Sequence, residues 1–398
     1  MKYLDRIKRN VVRLEDEDWP SLETFQAEIK KEDPDFRPFD QRYFYWTQDK
    51  NPHRGKNGPQ LWVYRGGDGS IHGQQVGIPF SLSVEGKSYR ASWAVNLMVS
   101  PSFRMRGIGN ALSSIHQEDS DITLGIGISE EAYNAYLRAG WIDLGKMEVF
   151  IRPIDAHAML PLFGLSSENF FYRCAAGLCN GFLRILDFNT KLIYRFLRGI
   201  RIEPIERFDP RVEQIWEKAK VHYPVLATRN FRSLKWRFDE AVESTCYQRF
   251  YVWKREKICG YFVLREGVRN GVRVTSVVDF LCPPPFVSSL MAGVLNVAHQ
   301  GGAAALYCRL NLFGATKHLY PLGFCKRPSF TRIMAAPNES SELATILPKD
   351  PSAWFVTMAD SDGDYFEEQE LQTRTSMELA KIEAPSSASA KPKKLSAL

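Results

Sequence analysis

The chain has 398 residues, 44% of them hydrophobic, 25% charged and 13% aromatic. That is too apolar for a disordered chain, and it is long enough for two or three domains without a disulfide or metal staple. The net charge of +6, from 52 basic against 46 acidic residues, is too mild for a nucleic-acid-binding surface.

In chain order, Ile7 to Leu14 reads as a strand, followed by helical stretches near 18–31 and 37–47. Gly66-Gly-Asp-Gly69 is a hairpin turn between two strands. Tyr89 to Val99 reads as a half-buried strand, with Val95, Leu97 and Val99 on one face and Asn96 and Met98 on the other. Gly107 to His116 is a helix and Ile122 to Ile128 a short apolar strand. Ser129 to Arg138 is a helix with Ser129 as N-cap, and Met147 to Arg152 is a final strand. The second half predicts strands near 248–254, 257–265 and 271–281. A helix near 285–299, a strand at 303–309, a helix at 312–320 and a strand near 328–335 follow.

The similar order reflects a repeat. Leu61-Trp-Val-Tyr-Arg65 and Ile71-His-Gly73 read like Tyr251-Val-Trp-Lys254 and Ile258-Cys-Gly260. Tyr136-Leu-Arg-Ala-Gly-Trp141 echoes Tyr320-Pro-Leu-Gly-Phe324, and Trp46 and Trp236 end comparable aromatic stretches. Several short matches in one order at similar offsets point to a duplication. Between the halves, 170–199 is strongly apolar, with Arg184, Asp187, Lys191, Arg195 and Arg198 on one narrow helical arc. Two readings stand: a helix packed between the halves, or one lying in a membrane interface with its cations toward lipid headgroups. From Glu383 onward Ala, Pro, Ser and Lys dominate, which reads as disordered. The seven cysteines show no paired spacing and read as buried thiols, with no metal site. Met1 to Glu15 has no signal-peptide core and no run is long enough to span a membrane, so a cytoplasmic protein is expected.

The strongest local signal is Val99-Ser-Pro-Ser-Phe-Arg104-Met-Arg106-Gly107-Ile-Gly109-Asn110, between a strand and a helix. Glycines let the backbone approach a ligand, and helix-start amides point at phosphate oxygens. Arg104 and Arg106 add charge, so the loop suits an anionic diphosphate. Arg229, Arg232, Lys235 and Arg237 around Trp236 form either a solvated helix face or a surface for an anionic sugar or phosphate.

The loop resembles the Arg-x-x-Gly-x-Gly element of the GNAT superfamily of N-acetyltransferases, met by Arg104, Gly107 and Gly109. Ser129-Glu-Glu-Ala132-Tyr-Asn-Ala-Tyr136-Leu-Arg-Ala-Gly140-Trp141 is similar to the family's later Asn-x-x-Ala-x-x-x-Tyr-x-x-x-Gly-Phe element. The resemblance covers about 60–150. The second half looks like a diverged copy in which Cys282-Pro-Pro-Pro-Phe286 replaces the glycine loop. It implies an α/β (α+β) fold of two GNAT-like domains, each a mixed, mostly antiparallel twisted sheet flanked by helices. They fall at 1–155 and 200–358, with a helical connector at 156–199 and a disordered tail at 359–398. The layout is similar to tandem bacterial proteins of cell-surface polysaccharide synthesis.

The resemblance further implies an acyl-CoA-dependent N-acyltransferase, with acetyl-CoA or another acyl-CoA as co-substrate and an amine, amino sugar or peptide as acceptor. Leu97, Met98 and Val99 would hold the pantetheine arm. Arg104, Arg106, Gly107, Ile108, Gly109 and Asn110 would hold the pyrophosphate, and Tyr136 would be the acid. Asn96 stands where the family often carries a carboxylate base, and could orient the nucleophile. Glu130, Glu131, His116 and His72 are the nearest other titratable groups, His116 being expected at an exposed helix end. No metal and no nucleic acid are implied. The alternative is a catalytically silent ligand-binding or scaffold module. In either case the chain could make peripheral contact at the inner membrane face through 170–199.

Overall fold

A computed structural model describes residues 2–364, apart from Asp35, Arg37, Ser167, Ile193 and 195–198. The tail from 365 onward, and Arg195 and Arg198 of the basic arc, lie outside the described residues.

The first half runs α1 (Lys2–Lys8), β1 (Val11–Arg13), α2 (Trp19–Glu32), α3 (Gln41–Phe44), β2 (Leu61–Arg65), β3 (Ile71–Val84) and β4 (Lys87–Val99). It continues with α4 (Ile108–Glu118), β5 (Ile122–Ile126), α5 (Glu130–Arg138), β6 (Ile142–Lys146) and β7 (Glu148–Pro153). A long helix, α6 (Phe170–Lys191), follows. The second half runs β8 (Ile200–Ile205), α7 (Val212–Lys220), β9 (Val225–Ala227), α8 (Phe231–Leu234), β10 (Tyr247–Lys254), β11 (Lys257–Arg269) and β12 (Val272–Leu281). Then come α9 (Val287–Gln300), β13 (Ala305–Asn311), α10 (Ala315–Leu319), β14 (Cys325–Arg327), β15 (Arg332–Pro337), α11 (Leu343–Ile346) and β16 (Trp354–Thr357).

The result is a mixed α/β fold whose sheet is partly parallel and partly antiparallel, flanked by helices. One path orders the strands β6-β15-β5-β4-β3-β9-β16-β13-β12-β11-β10-β8. Two strands cross between the halves. β7 leaves the first half and pairs antiparallel with β13, Phe150 opposite Cys308. β15 makes the reverse journey and lies between β5 and β6, with Ala335 opposite both Leu124 and Ile142. The expected final strand of each half therefore completes the other half's sheet. Burial drives the crossing: Phe150 and Arg152 of β7 and Met334 and Ala335 of β15 are fully buried.

Several expectations are corrected. Ile7 to Leu14 is not one strand. Leu4 and Ile7, one helical turn apart, join the cluster around Ile108 and Leu112 of α4, so α1 forms before the short β1. The second aromatic helix ends in a wide π-turn, Tyr45–Asp49, and Lys235–Asp239 repeats this after α8. Four of the seven cysteines, Cys174, Cys179, Cys246 and Cys325, are exposed. Arg229 and Arg237 are neither a solvated face nor a ligand surface: each is buried against carboxylates, Arg229 on Asp279 and Asp360 and Arg237 on Asp364. Asp360 and Asp364 are themselves buried, so the chain stays packed beyond 359. The helix at 170–191 is not sandwiched between the halves. It packs by one side on α9 and the Tyr320–Leu322 turn.

Candidate active site

The site begins where two parallel strands part. β4 and β5 pair at Ala91–Ile122, Ser92–Thr123 and Trp93–Leu124, and there the pairing ends. Ala94 to Val99 continue to pair with β3 on one edge. On the other edge no strand among the described residues meets them, and all six are only half-buried.

A bulge shapes this edge. Gln74 pairs with Met98 and Val76 with Val95, so Asn96 and Leu97 together oppose the single residue Gln75. Asn96 has φ +52°, a conformation Asn tolerates better than other side-chain-bearing residues. The extra residue breaks the expected alternation. Val95 and Met98 pack with the main core, while Leu97 and Val99 pack toward α1 and α4. Two buried glutamines brace the bulge: Gln74 Nε2 donates to the Asn96 carbonyl (3.2 Å) and Gln75 Nε2 to that of Val95 (2.9 Å). Gln26 of α2 donates in turn to Gln74 Oε1 at 3.3 Å.

The glycine loop follows directly. Pro101–Phe103 makes a 3-10 turn, Met105 is fully exposed at φ +61°, and Gly107 caps α4 at φ +78°. Its cap position has no side-chain hydrogen bond, and Ala111 N donates to Gly107 O at 3.0 Å, the first turn of α4. The amides just before Ala111 are those a helix start leaves without internal acceptors. A Cβ on Gly107 would lie 3.1 Å from Ile7 Cδ1, while one on Gly109 would meet only Val99 Cγ2 at 3.9 Å. Arg104 is exposed and its Nε donates to the Val99 carbonyl at 3.2 Å. Arg106 lies over the Phe103 ring (5.0 Å), which stacks on His72 at 3.7 Å. Tyr3 of α1 donates to the Arg106 carbonyl at 3.2 Å. Ile108 is buried under the helix, and Asn110 is exposed.

Tyr136 lies across the gap on α5, whose N-cap Ser129 accepts from Ala132 N at 3.3 Å. Its ring stacks on Trp141, centroids 4.3 Å apart, in a cluster with Met334 and Ala336 of β15 and with Ala94 and Leu97 of β4. Burial pushes its hydroxyl up to about 12. That hydroxyl makes no hydrogen bond among the described residues. Five buried side-chain atoms on β3, β4, β5 and the turns after β4 and α5 have no protein partner among the described residues: Gln75 Oε1, Asn96 Nδ2, Ser100 Oγ, Thr123 Oγ1 and Trp141 Nε1.

Sequence reasoning misplaced His116. It is fully buried on the α4 face toward the sheet and hydrogen-bonded to Ser92 Oγ at 2.7 Å. Burial lowers its pKa to about 3, so it is a neutral core residue. Gly77 makes the room, since a Cβ there would come within 2.6 Å of His116 Nε2. Among the described residues no cluster of His, Cys, Asp or Glu could hold a metal.

The second half has the corresponding fork, and it is filled. β12 and β13 pair in parallel from Val274–Ala305 to Val277–Cys308 and then part. β16 enters the opening, pairing Thr357 and Val356 with Leu310 and Asn311 of β13. Ala359 N donates to Val278 O of β12 at 3.0 Å. Below it, Arg229 binds Asp279 (3.1 Å) and Asp360 (2.6 Å), and Tyr261 OH donates to Asp279 at 2.6 Å. Burial alone would lower the Arg229 pKa, but the two carboxylates raise it above its ordinary value, so the guanidinium stays charged. In place of a glycine loop, Pro283 to Pro285 lead into α9 and remove amide donors.

Solved acyltransferase structures resemble this chain at the level of the fold. A GCN5-related N-acetyltransferase from Anabaena variabilis matches at a TM-score of 0.54 and 13% identity, over 83% of this chain and 72% of that one. The chain has a GNAT-like fold. Saccharomyces cerevisiae N-myristoyltransferase with bound myristoyl-CoA also shares it, at 0.51 and 13% identity over 83% and 79% of the two chains. So does a conserved protein of unknown function from Enterococcus faecalis, described as a probable N-acyltransferase (0.53, 13%, 83% and 72%). At such identities the likeness to GNAT structures is one of fold. Sequence comparison matches no family and no curated protein.

Proposed function

We propose that this chain is an acyl-CoA-dependent N-acyltransferase whose single working site is the open fork of β4 and β5. One contrast carries the reading: the first fork is open, bulged and followed by a glycine loop, whereas the second is closed by β16 and a buried ion cluster. The free edge at Leu97, Met98 and Val99 suits the amide groups of a pantetheine arm. The helix-start amides from Arg106 to Asn110, with Arg104 and Arg106, suit a pyrophosphate. An acyl-CoA supplies the activated thioester carbonyl. The amine forms the new N–C bond as the C–S bond breaks; Tyr136, protonated throughout the neutral range, donates its proton to the departing sulfur, and the proton lost by the amine passes to solvent, from which the phenol is restored. Asn96 Nδ2, buried and unpartnered, orients the incoming amine. The acceptor class is an amine, with an amino sugar or a cell-surface polysaccharide precursor as first candidates. In this reading the two halves are copies of one fold and the second is a degenerate one that supplies structure. The matching π-turns around Trp46 and Trp236 support the duplication.

Asn96 in place of a carboxylate favours a second reading, a silent module that binds the ligand without turnover. Thiol release from acetyl-CoA against amine, amino-sugar and peptide panels separates the two. Release above the hydrolysis background supports the enzyme, and tight binding without release supports the silent module.

A further inference from the structure

The helix α6 leaves its largest apolar side chains uncovered. Its 22 residues make a rod of about 33 Å. The side turned to the protein is mixed, burying Ala176 and Leu183 together with polar residues. Asp187 is buried and receives Arg152 and His299, and Thr190 is buried beside it. Asn180 accepts from Ala156 N at 2.7 Å and donates to Asp155 at 3.0 Å. The opposite side holds Phe171, Leu178, Phe182, Ile185 and Phe188, each about two-thirds exposed or more. At 3.6 residues per turn these five fall on one stripe. Ordinary amphipathic helices turn such a stripe to the core, and an exposed one of this length marks an interaction surface.

Charge identifies the occupant. Arg173, Arg184 and Lys191 are exposed and fall on one edge of the stripe, between it and the packed side. The one acid on the helix, Asp187, is buried. Against a second copy packed antiparallel through the same stripe, like edges would meet and set cations against cations. The surface needs a partner that is apolar at its centre and anionic at its margin. No helix among the described residues is long and apolar enough to cross a membrane, so α6 would lie in the plane. From this geometry we infer that α6 is an in-plane membrane anchor, seating its aromatic stripe in the acyl boundary of an anionic bilayer with Arg173, Arg184 and Lys191 at the headgroups. The inference is independent of the proposed chemistry.

Flotation of the purified chain with mixed phosphatidylglycerol and phosphatidylcholine vesicles tests it. The chain is expected to float with the mixed vesicles, more weakly with phosphatidylcholine alone, and less as salt rises. Phe182→Glu with Ile185→Glu should lower partitioning by about a hundredfold or more. Each of Arg173→Ala, Arg184→Ala and Lys191→Ala should lower it by about fivefold. Phe182→Trp provides a reading that does not disturb the fold: its added emission should be quenched by brominated lipid. Absence of flotation with mixed vesicles, or flotation unchanged by the double glutamate variant, would overturn the inference. So would a dimer in sedimentation velocity that this variant dissolves while the parent ignores vesicles, because the stripe would then belong to a second copy.

Discussion

Trp46 and Trp236 hold each other through reciprocal hydrogen bonds: each indole N–H donates to the other's backbone carbonyl, at 3.1 and 2.9 Å, with the rings stacked 5.4 Å apart. The two residues stand in matching π-turns, preceded by matching caps in which Asp40 accepts from Tyr43 N and Asn230 from Ser233 N. The pair lies beside a cavity of about 60 Å³ lined by Ile78, Trp93, Arg229 and Asp279.

Removing either indole should therefore loosen both halves together. Trp46→Phe strands the buried Trp236 carbonyl and is expected to cost about 1–3 kcal/mol. Trp46→Ala adds a cavity and should cost about 3–5 kcal/mol. Denaturant unfolding of the Trp46→Phe, Trp236→Phe cycle should show a coupling of about 0.5–3 kcal/mol, and simple additivity would remove the reciprocal bond.

Tyr136→Phe separates chemistry from packing. The ring keeps its stack on Trp141, and the lost hydroxyl has no partner, so stability near neutral pH should change by less than about 1 kcal/mol. Turnover should fall by about a hundredfold or more with little change in KM. The pH response has a defined sign. A hydroxyl raised from its ordinary 10 to about 12 contributes stability below pH 10, lost as pH climbs through 12. The variant should lack that share of the alkaline loss, measured as the difference between the two unfolding curves.

His116 sets the acid side. Its pKa is depressed to about 3 by burial, so the unfolded chain takes up a proton that the folded chain refuses. The stability it contributes is present above the ordinary value of 6.5 and is lost as pH falls toward 3. His53, depressed to about 4 by burial and by Arg232, acts in the same direction. His116→Gln should flatten the acid limb of stability against pH, and an unchanged limb would mean that the imidazole is not buried neutral.

The filled fork makes a mutational prediction of its own. Arg229→Met leaves Asp279 and Asp360 buried without their cation and should destabilise by about 3–5 kcal/mol in urea unfolding. Restoring neutrality with Asp279→Asn and Asp360→Asn in the same chain should recover part of it.

The legible parts of this molecule were the local ones. The β4 strand, the glycine loop, the Ser129 cap and the Tyr136 helix follow from periodicity, capping and glycine placement, all short-range rules. The bulge at Asn96 was hidden, because an unbroken alternation of Val95, Leu97 and Val99 looks like a plain strand. The exchange of β7 and β15 left no local trace, since a buried strand reads the same in either sheet. Arg229 and Arg237 looked like a basic face because their carboxylate partners, Asp279, Asp360 and Asp364, come from about 50 to 130 positions away. The α6 pattern did show a narrow charged arc on an otherwise apolar helix, but which side the protein would cover depended on Arg152 and His299 reaching Asp187.

The central claim is one acyl-CoA site per chain, in the first fork. Calorimetric titration with acetyl-CoA, run on the parent chain and on Gly107→Glu, tests it most directly. The account predicts a stoichiometry of one and no measurable binding in the variant, because a side chain at this φ +78° cap would run into Ile7 and Tyr3 and displace the loop amides that hold the pyrophosphate. Circular dichroism of the variant checks that it remains folded. A stoichiometry of two, no binding by the parent chain, or undiminished affinity in a folded Gly107→Glu would contradict it.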